Sequence, residues 1–269
     1  MKIVFLGGGK MAEAILTGLL RDGVCEAKQV VVCEIVEERR AYLAATLDVV
    51  VVDAVAEAVR EADVVFLAVK PQVLGSVLVE AATVVPPQAL LISIAAGKTL
   101  DQIAASFDTA KVVRVMPNLA ASVGASMNVF CCNAHVQAED RALVVRLLAA
   151  FGEVVEADES LFDAVTAVSG SGPAFVAYLL AALAAAGVAL GLSEGQAYTL
   201  ALQTFLGTAQ VLQAQGGTPQ ALIESVSSPN GTTVAGMQVL GASDVRAVLA
   251  ETVAATAARS QALRESAEA

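Results

Sequence analysis

The chain has 269 residues, of which 57% are hydrophobic and 16% charged, and its formal net charge is −11. This length allows two domains and a substantial buried core. The acidic balance argues against a nucleic-acid-binding protein, because contacts to phosphates need a basic surface. The four cysteines lack the paired spacing of a zinc site and His135 is the single histidine, so we expect no bound metal.

The first 159 residues alternate β-branched runs with segments rich in Ala, Leu and Glu, a rhythm typical of βαβ units. The apolar runs are continuous, as in parallel strands that are covered on both faces. We therefore predict an N-terminal Rossmann-type domain over residues 1–159, with a doubly wound, mainly parallel sheet. The predicted strands span residues 2–6, 29–34, 49–52, 63–69, 89–94 and 111–116.

Strand signals give way to helical ones after Leu161, which predicts an all-α domain over residues 160–269. Residues 173–192 carry no charge, and twenty such residues are long enough to cross a membrane. The segment lacks Lys or Arg flanks and Glu194 follows it, which favours a helix buried on all sides. In so small a domain such burial usually needs a second subunit, so we expect a homodimer or a larger assembly. The first apolar run ends in glycines, unlike a signal peptide, and we expect a cytoplasmic protein.

A glycine loop follows the first predicted strand and matches the dinucleotide pattern GxGxxA. Gly7 permits a tight turn, Gly9 lets the backbone approach a pyrophosphate, and Ala12 lets the next helix pack against the strand. A glycine cluster after a strand can also be merely a turn, but the five further predicted strands favour a cofactor site. The predicted cofactor contacts of this loop are Gly7, Gly8, Gly9, Lys10 and Met11.

Glu34 ends the second predicted strand, where an acidic side chain accepts hydrogen bonds from the adenosine ribose of NAD. It could instead be a solvated strand end. Glu37 and Glu38 follow, and three carboxylates should repel the 2′-phosphate of NADPH, although Arg39 or Arg40 could neutralise it. Charge therefore favours NADH, and NADPH stays open as the alternative.

Two later segments end predicted strands at the edge where open α/β sheets bind ligands. In the first, AVKPQ at residues 68–72, Lys70 has no interior role and is equally explained as an exposed lysine. In the second, SIAAG at residues 93–97, small side chains leave room for a flat nicotinamide ring. The predicted cofactor contacts here are Ala68, Val69, Lys70, Pro71, Ala95, Ala96 and Gly97.

Along with the glycine loop, five motifs in order make the whole chain resemble the pyrroline-5-carboxylate reductase family. They are the two segments above, RVMPN at residues 114–118, SGSGPA at residues 169–174 and SPNGTT at residues 228–233. The last two are specific to the family, whereas many dehydrogenases share the glycine loop.

The resemblance implies reduction of the cyclic imine 1-pyrroline-5-carboxylate to L-proline by NADH or NADPH, the last step of proline biosynthesis. A bound imine is largely protonated and already activated, so we assign no general acid or base. The resemblance implies that the SPNGTT turn binds the substrate carboxylate, with Thr233 as the best side-chain candidate; plain N-capping by Ser or Thr is the alternative. The implied substrate-binding residues are Ser169, Gly170, Ser171, Gly172, Ser228, Gly231, Thr232 and Thr233.

Some positions depart from the family pattern. Lys10 replaces the usual Asn or Gln, Val55 stands where an Asn commonly touches the adenosine, and Asn230 replaces a Gly.

Two other functions stay open: a β-hydroxyacid dehydrogenase and a non-catalytic nucleotide sensor. The first needs a lysine base on the helical domain, but Lys111 is the last lysine in the chain. The second has no need of the SPNGTT turn.

Overall fold

The computed structural model describes residues 1–107 and 110–266. These residues form two compact units. The first unit comprises Met1–Ser171 together with the C-terminal residues from Thr256 onward, and the second unit comprises Gly172–Ala255.

An eight-stranded sheet forms the centre of the first unit. Its strands are β1 (Ile3–Leu6), β2 (Val30–Cys33), β3 (Val50–Val52), β4 (Val64–Leu67), β5 (Leu90–Ser93), β6 (Lys111–Met116), β7 (Ser126–Cys132) and β8 (Gly152–Glu156). Their order is β3-β2-β1-β4-β5-β6-β7-β8, and only the β6–β7 pair is antiparallel. The strand order reverses between β1 and β4, which is the crevice where doubly wound sheets bind ligands. The predicted fold class is confirmed.

The described residues up to Ser171 contain seven α-helices that cover the sheet; six lie between successive strands and the seventh follows β8. Residues of β1 and β4 contribute to a separate buried cluster on each face; on one face the rings of Phe5 and Phe66 stack with their centroids 4.5 Å apart. Both faces are therefore covered, as the continuous apolar runs predicted. The helices are α1 (Lys10–Arg21), α2 (Glu37–Leu47), α3 (Val55–Val59), α4 (Pro71–Ala82), α5 (Leu100–Ala104), α6 (Ala138–Ala149) and α7 (Phe162–Val165).

Six of the eight strands were predicted from the sequence, whereas β7 and β8 were not. The sequence SMNVFCC of β7 carries a polar residue in its interior. That residue, Asn128, is fully buried and its amide Nδ2 donates to the carbonyl of Leu148 over 3.1 Å. β8 lies at the sheet edge and is half exposed, so neither strand shows the continuous apolar run of a central parallel strand.

The second unit is helical. Its helices are α8 (Gly172–Ala189), α9 (Glu194–Gln215), α10 (Pro219–Ser225), α11 (Thr232–Ala242) and the first part of α12 (Val245–Ser266). α8 and α9 approach closely at a glycine: a Cβ atom placed on Gly187 would lie 3.4 Å from the Cβ of Ala197. Small residues thus allow the two helices to pack closely.

α12 continues into the first unit, where its last turns are fixed by one carboxylate. The hydroxyl of Ser260 donates to Asp163 Oδ1 over 2.7 Å, and Arg264 Nη2 donates to Asp163 Oδ2 over 3.0 Å. The C-terminal helix therefore ends beside α7 of the first unit.

Among the described residues, one helical stretch, Glu159–Ala189, is long and apolar enough to span a membrane by length and composition. Its most apolar window has a mean hydropathy of 1.8, and none of that window is buried within the chain. One such stretch is weak evidence for a span, because a helix covered by a second subunit has the same composition. Its exposed large apolar side chains include Val176, Tyr178, Leu183 and Val188.

Candidate active site

The glycine loop begins with a turn that only glycine permits. Gly7 has a φ of +102°, and a Cβ atom at this position would lie 2.7 Å from the carbonyl oxygen of Ala68. The Gly7 amide donates to the Cys33 carbonyl over 2.8 Å, and the Ala68 amide donates to the Leu6 carbonyl over 2.8 Å. The loop is thereby brought against the carboxyl ends of β2 and β4, as the parallel register of the sheet requires.

The N-terminus of α1 is open to an anion. Gly9 is the cap residue of this helix, in an extended conformation with φ −66° and ψ −177°, and it has no side chain to occupy the first amides. Apart from its two chain neighbours, a Cβ atom at Gly9 would meet no atom of the described residues within 4 Å. The first amides of α1 are therefore accessible beside a stretch of bare backbone, which fits the pyrophosphate of a dinucleotide.

Glu34 contacts the glycine loop directly. Its Oε2 accepts a hydrogen bond from the Gly8 amide over 2.9 Å, and its Oε1 accepts one from the Val36 amide over 2.9 Å. Arg40 Nη1 donates to the Glu34 carbonyl over 3.0 Å. The side chain is half-buried and held at the end of β2, rather than being the freely solvated strand end that the sequence left open.

Lys10 and Val55, the two positions near the glycine loop that depart from the family pattern, have different surroundings. Lys10 is largely exposed and its Nζ lies 3.3 Å from Glu13 Oε2, so its charge faces a carboxylate of the same helix. Val55 is buried, with 7% of its surface exposed, in the core cluster of one sheet face. Val55 therefore offers no polar group to an adenosine. Met11, the remaining predicted contact of this loop, is half-buried and packs against the opposite core cluster.

The predicted segments after β4 and β5 lie at the same sheet edge as the glycine loop, because β1, β4 and β5 are parallel neighbours. After β4, Val69 is half-buried, Lys70 is exposed, and Pro71 is the first residue of α4. After β5, Ala95 is buried and its amide donates to the Ser93 hydroxyl over 3.3 Å, while Ala96 is exposed.

Gly97 completes the loop after β5 with a φ of +71°, in the left-handed region that favours glycine. A Cβ atom at Gly97 would lie 4.0 Å from Arg264 Cα, so this loop runs past the end of α12. The loop is thereby bounded by the same helix turn that Asp163 holds.

The RVMPN and SGSGPA motifs meet at the carboxyl end of β6. Asn118 Nδ2 donates to the Ser169 carbonyl over 3.2 Å and to the Ser169 hydroxyl over 3.3 Å. A Cβ atom on Gly170 would lie 2.6 Å from Met116 Cε, so only glycine fits without displacing that side chain. Residues 169 and 170 are thus fixed at the ligand-binding edge of the sheet.

The chain makes a π-helical turn at Thr166–Gly170, just before α8. The Ser171 amide donates to the Thr166 carbonyl over 2.8 Å, five residues back. π-turns are rare and occur frequently at functional sites. No sequence pattern announced this turn, apart from the small residues of SGSG.

An ion pair between a buried arginine and a half-buried glutamate supports this edge, and no role for it was predicted from the sequence. Arg114, with 4% of its surface exposed, donates from Nη1 to Glu159 Oε1 over 2.9 Å, and that oxygen also accepts from the Leu100 amide over 2.8 Å. The guanidinium carbon of Arg114 lies 4.4 Å from the ring centroid of Phe162. The motif arginine therefore anchors the segment leading to the π-turn rather than facing a ligand.

The SPNGTT motif of the second unit forms a turn and a helix start. Asn230 has a φ of +59°, and the Gly231 amide donates to the Ser228 carbonyl over 2.9 Å. The cap residue of α11 is Gly231, which has no side chain to form a capping bond, whereas the capping alternative required a Ser or Thr at this position. Thr232 and Thr233 open the helix, so its first amides and two hydroxyls are gathered in one turn.

The structure thus gathers all the predicted cofactor contacts in the first unit. Ser169, Gly170 and Ser171 belong to the same unit, whereas Gly172 and the SPNGTT turn belong to the second. A doubly wound sheet with a glycine loop at a helix N-terminus and a carboxylate on the neighbouring strand defines a dinucleotide-dependent oxidoreductase.

Comparison with known proteins supports the class of dinucleotide-dependent oxidoreductases and identifies a family within it. A family model described as NADP oxidoreductase, coenzyme F420-dependent, matches residues 2–97, and a model described as pyrroline-5-carboxylate reductase dimerisation matches residues 159–263. A pyrroline-5-carboxylate reductase from Synechocystis is 42% identical over 263 residues, covering 98% of each chain. The corresponding reductase from Escherichia coli is 36% identical over 266 residues, covering 98% of this chain and 99% of the relative.

Solved structures give the same result. A pyrroline-5-carboxylate reductase from Coxiella burnetii superposes with a TM-score of 0.94 at 30% identity, covering 97% of this chain and 98% of that one. A pyrroline carboxylate reductase from Plasmodium falciparum with NADP bound superposes with a TM-score of 0.86 at 28% identity, covering 98% of both chains. The chain belongs to the pyrroline-5-carboxylate reductase family, and the resemblance drawn from its motifs is confirmed.

Proposed function

We propose that this chain reduces the C=N bond of 1-pyrroline-5-carboxylate to give L-proline, with NADH or NADPH as the reductant. The observation that carries the proposal is the pair of hydrogen bonds from Asn118 to Ser169. This contact holds a family-specific loop at the same sheet edge as the glycine loop. The full-length similarity to named reductases supports the same reaction.

The first unit binds and orients the cofactor, which supplies the hydride when bound. Gly7 and Gly9 let the backbone approach the pyrophosphate, and the first amides of α1 neutralise its charge. Glu34 accepts hydrogen bonds from the adenosine ribose, and the small residues 95–97 border the nicotinamide. Positioning supplies much of the rate when the reacting atoms are held within about 3 to 3.5 Å.

The second unit supplies the anion site. The substrate carries a carboxylate, and an acidic protein must bind it with local donors. The uncapped first turn of α11 provides amides, and the half-buried Thr233 provides a hydroxyl directed to the carboxylate. The residues of the SGSG loop, Ser169 to Gly172, line the imine ring. Because the imine arrives protonated, no side chain acts as a strong general acid.

The protein acts as a cytoplasmic homodimer or a larger homo-oligomer, without nucleic acid and outside the membrane. The exposed apolar side chains of α8 and the family model for dimerisation support a helix covered by a second subunit. We propose residues 1–159 as the cofactor domain and residues 160–269 as the dimerisation and substrate domain.

A spectrophotometric assay with purified protein tests the proposal. With 1-pyrroline-5-carboxylate, absorbance of NADH or NADPH at the nicotinamide band falls, and one L-proline forms for each cofactor oxidised. Oxidation of a β-hydroxyacid by NAD or NADP in place of this reaction would support the dehydrogenase alternative. Tight cofactor binding without turnover of the imine would support the nucleotide sensor. Either result contradicts the proposed reaction.

A further inference from the structure

Arg39, which is not among the predicted cofactor contacts, forms hydrogen bonds with the glycine loop. Arg39 lies in the first turns of α2, and its Nε donates to the Gly8 carbonyl over 2.5 Å. Its Nη2 donates to the Gly9 carbonyl over 3.2 Å and to Glu13 Oε2 over 2.7 Å. One guanidinium thus holds two successive carbonyls of the loop and the first turn of α1.

The guanidinium itself is fixed by its neighbours. The Tyr42 hydroxyl donates to Glu13 Oε1 over 2.8 Å, and the Arg39 guanidinium carbon lies 5.0 Å from the Tyr42 ring centroid. The side chains of Arg39 and Glu13 are only 19% and 18% exposed. Burial raises the pKa of Glu13, but hydrogen bonds from Arg39, Tyr42 and Lys10 outweigh it and leave that pKa below its ordinary value. Glu13 therefore stays ionised and keeps Arg39 in place at neutral pH.

Both the amide and the carbonyl of Gly8 therefore form hydrogen bonds with ionised side chains. Its amide donates to Glu34 on one side, and its carbonyl accepts from Arg39 on the other. Hydrogen bonds to charged groups are about twice as strong as neutral ones. Glycine loses more conformational freedom than any other residue when it is ordered, so a loop of three glycines gains most from such support. A loop ordered before the cofactor arrives binds it at a lower entropic cost.

We propose that Arg39 is a positioning residue for the dinucleotide, and that it acts on NADH and NADPH alike. It turns the Gly8 and Gly9 carbonyls toward α2, which leaves the opposite side of the loop and the first amides of α1 for the pyrophosphate. This inference rests on the cofactor site of the proposed function. It differs from the direct role considered for the sequence, in which Arg39 neutralises a 2′-phosphate, because Nε and Nη2 of Arg39 are already engaged with the loop and with Glu13.

The variant Arg39→Lys tests this role, because lysine keeps the charge but loses the planar fork that reaches two carbonyls. Dissociation constants for NADH and NADPH are measured from the fluorescence of the bound reduced nicotinamide, alongside KM and kcat. We expect both dissociation constants and both cofactor KM values to rise about tenfold, which corresponds to about 1.4 kcal/mol, with kcat at saturation nearly unchanged. The matched control is Arg60→Lys, an exposed arginine at the end of α3, which should leave all four values unchanged.

A rise confined to NADPH would overturn the proposal, since it would make Arg39 a ligand of the 2′-phosphate. Unchanged binding of both cofactors would overturn it as well. Tyr42→Phe provides a second variant in case Arg39→Lys folds poorly: it removes one hydrogen bond to Glu13 and should weaken both cofactors by an equal, smaller factor. Failure of the unaltered protein to bind either cofactor would instead contradict the proposed function itself.

Discussion

The Gly8 amide donates a hydrogen bond to Glu34 Oε2 over 2.9 Å, which joins the glycine loop to the carboxylate at the end of the next strand. The second carboxylate oxygen accepts from the Val36 amide. The negative charge of Glu34 is thereby fixed beside the loop at which the adenosine ribose is proposed to bind. The position of Glu34 therefore predicts that NADPH is not preferred over NADH.

We expect NADH to support a kcat/KM at least equal to that with NADPH, because a 2′-phosphate would approach the Glu34 carboxylate. Glu34→Gln removes the charge and keeps one of the two acceptor oxygens, and should shift the kcat/KM ratio toward NADPH by about tenfold. Glu61→Gln, at a largely exposed glutamate away from the loop, serves as the control. A much higher kcat/KM with NADPH in the unaltered protein would contradict the role given to Glu34.

Replacing Thr233 by Ala should lower kcat/KM for the imine by about 10- to 100-fold, because a hydrogen bond to a charged group contributes about 1.5–3 kcal/mol. Cofactor binding, measured by nicotinamide fluorescence, should hardly change. Thr233→Ser should restore most of the activity, since it returns the hydroxyl. Thr199→Ala removes an exposed hydroxyl of α9 and is the matched control. An unaltered kcat/KM in Thr233→Ala would show that this turn does not bind the substrate carboxylate.

A charge on α8 should disrupt the assembly. Leu183 is a large apolar residue of that helix and is 49% exposed within the chain, so Leu183→Glu would place a carboxylate in the proposed subunit interface. We expect light scattering after size exclusion to give a smaller species than for the unaltered protein. Val79→Glu, at a 70% exposed position of α4 in the first unit, should leave the mass unchanged. An unchanged mass for Leu183→Glu would place the interface elsewhere.

The cysteines should be poorly reactive in the folded protein. Burial raises the pKa of the Cys33 thiol to about 11, with nearby carboxylates adding to the effect, and burial raises that of Cys131 to about 12. A raised pKa keeps the thiol protonated at neutral pH, and the thiolate is the reactive form. We expect alkylation by iodoacetamide at pH 7.5 to be slow in the native state and complete after unfolding in urea. Rapid native alkylation of Cys33 or Cys131 would contradict these buried positions.

Local patterns predicted the parts of the fold that depend on neighbouring residues along the chain. The continuous apolar runs of β1 to β6 and the glycine spacing before α1 are such signals, and both were found where expected. β7 was missed because its buried Asn128 breaks the apolar run, and its antiparallel pairing with β6 is set by the sheet as a whole. The general lesson is that a buried polar residue conceals a strand from pattern analysis.

The supporting contacts of the site could not be predicted in this way, because they join residues far apart in sequence. Asn118 and Ser169 are separated by 51 positions, and Arg39 lies 31 positions from Gly8. Only the packing of α2 beside the glycine loop, and of the π-turn beside β6, brings these groups together. The motif residues themselves were predictable, whereas the groups that hold them were not.

In the proposed reaction, hydride passes from the reduced nicotinamide to the imine carbon of the pyrroline ring. The most direct measurement uses NADH fully deuterated at the hydride-donating carbon, with 1-pyrroline-5-carboxylate as substrate and mass spectrometry of the product. We expect L-proline with one deuterium at the former imine carbon, in equal amount to the NAD formed. Proline without deuterium, or oxidation of the cofactor without proline, would contradict it.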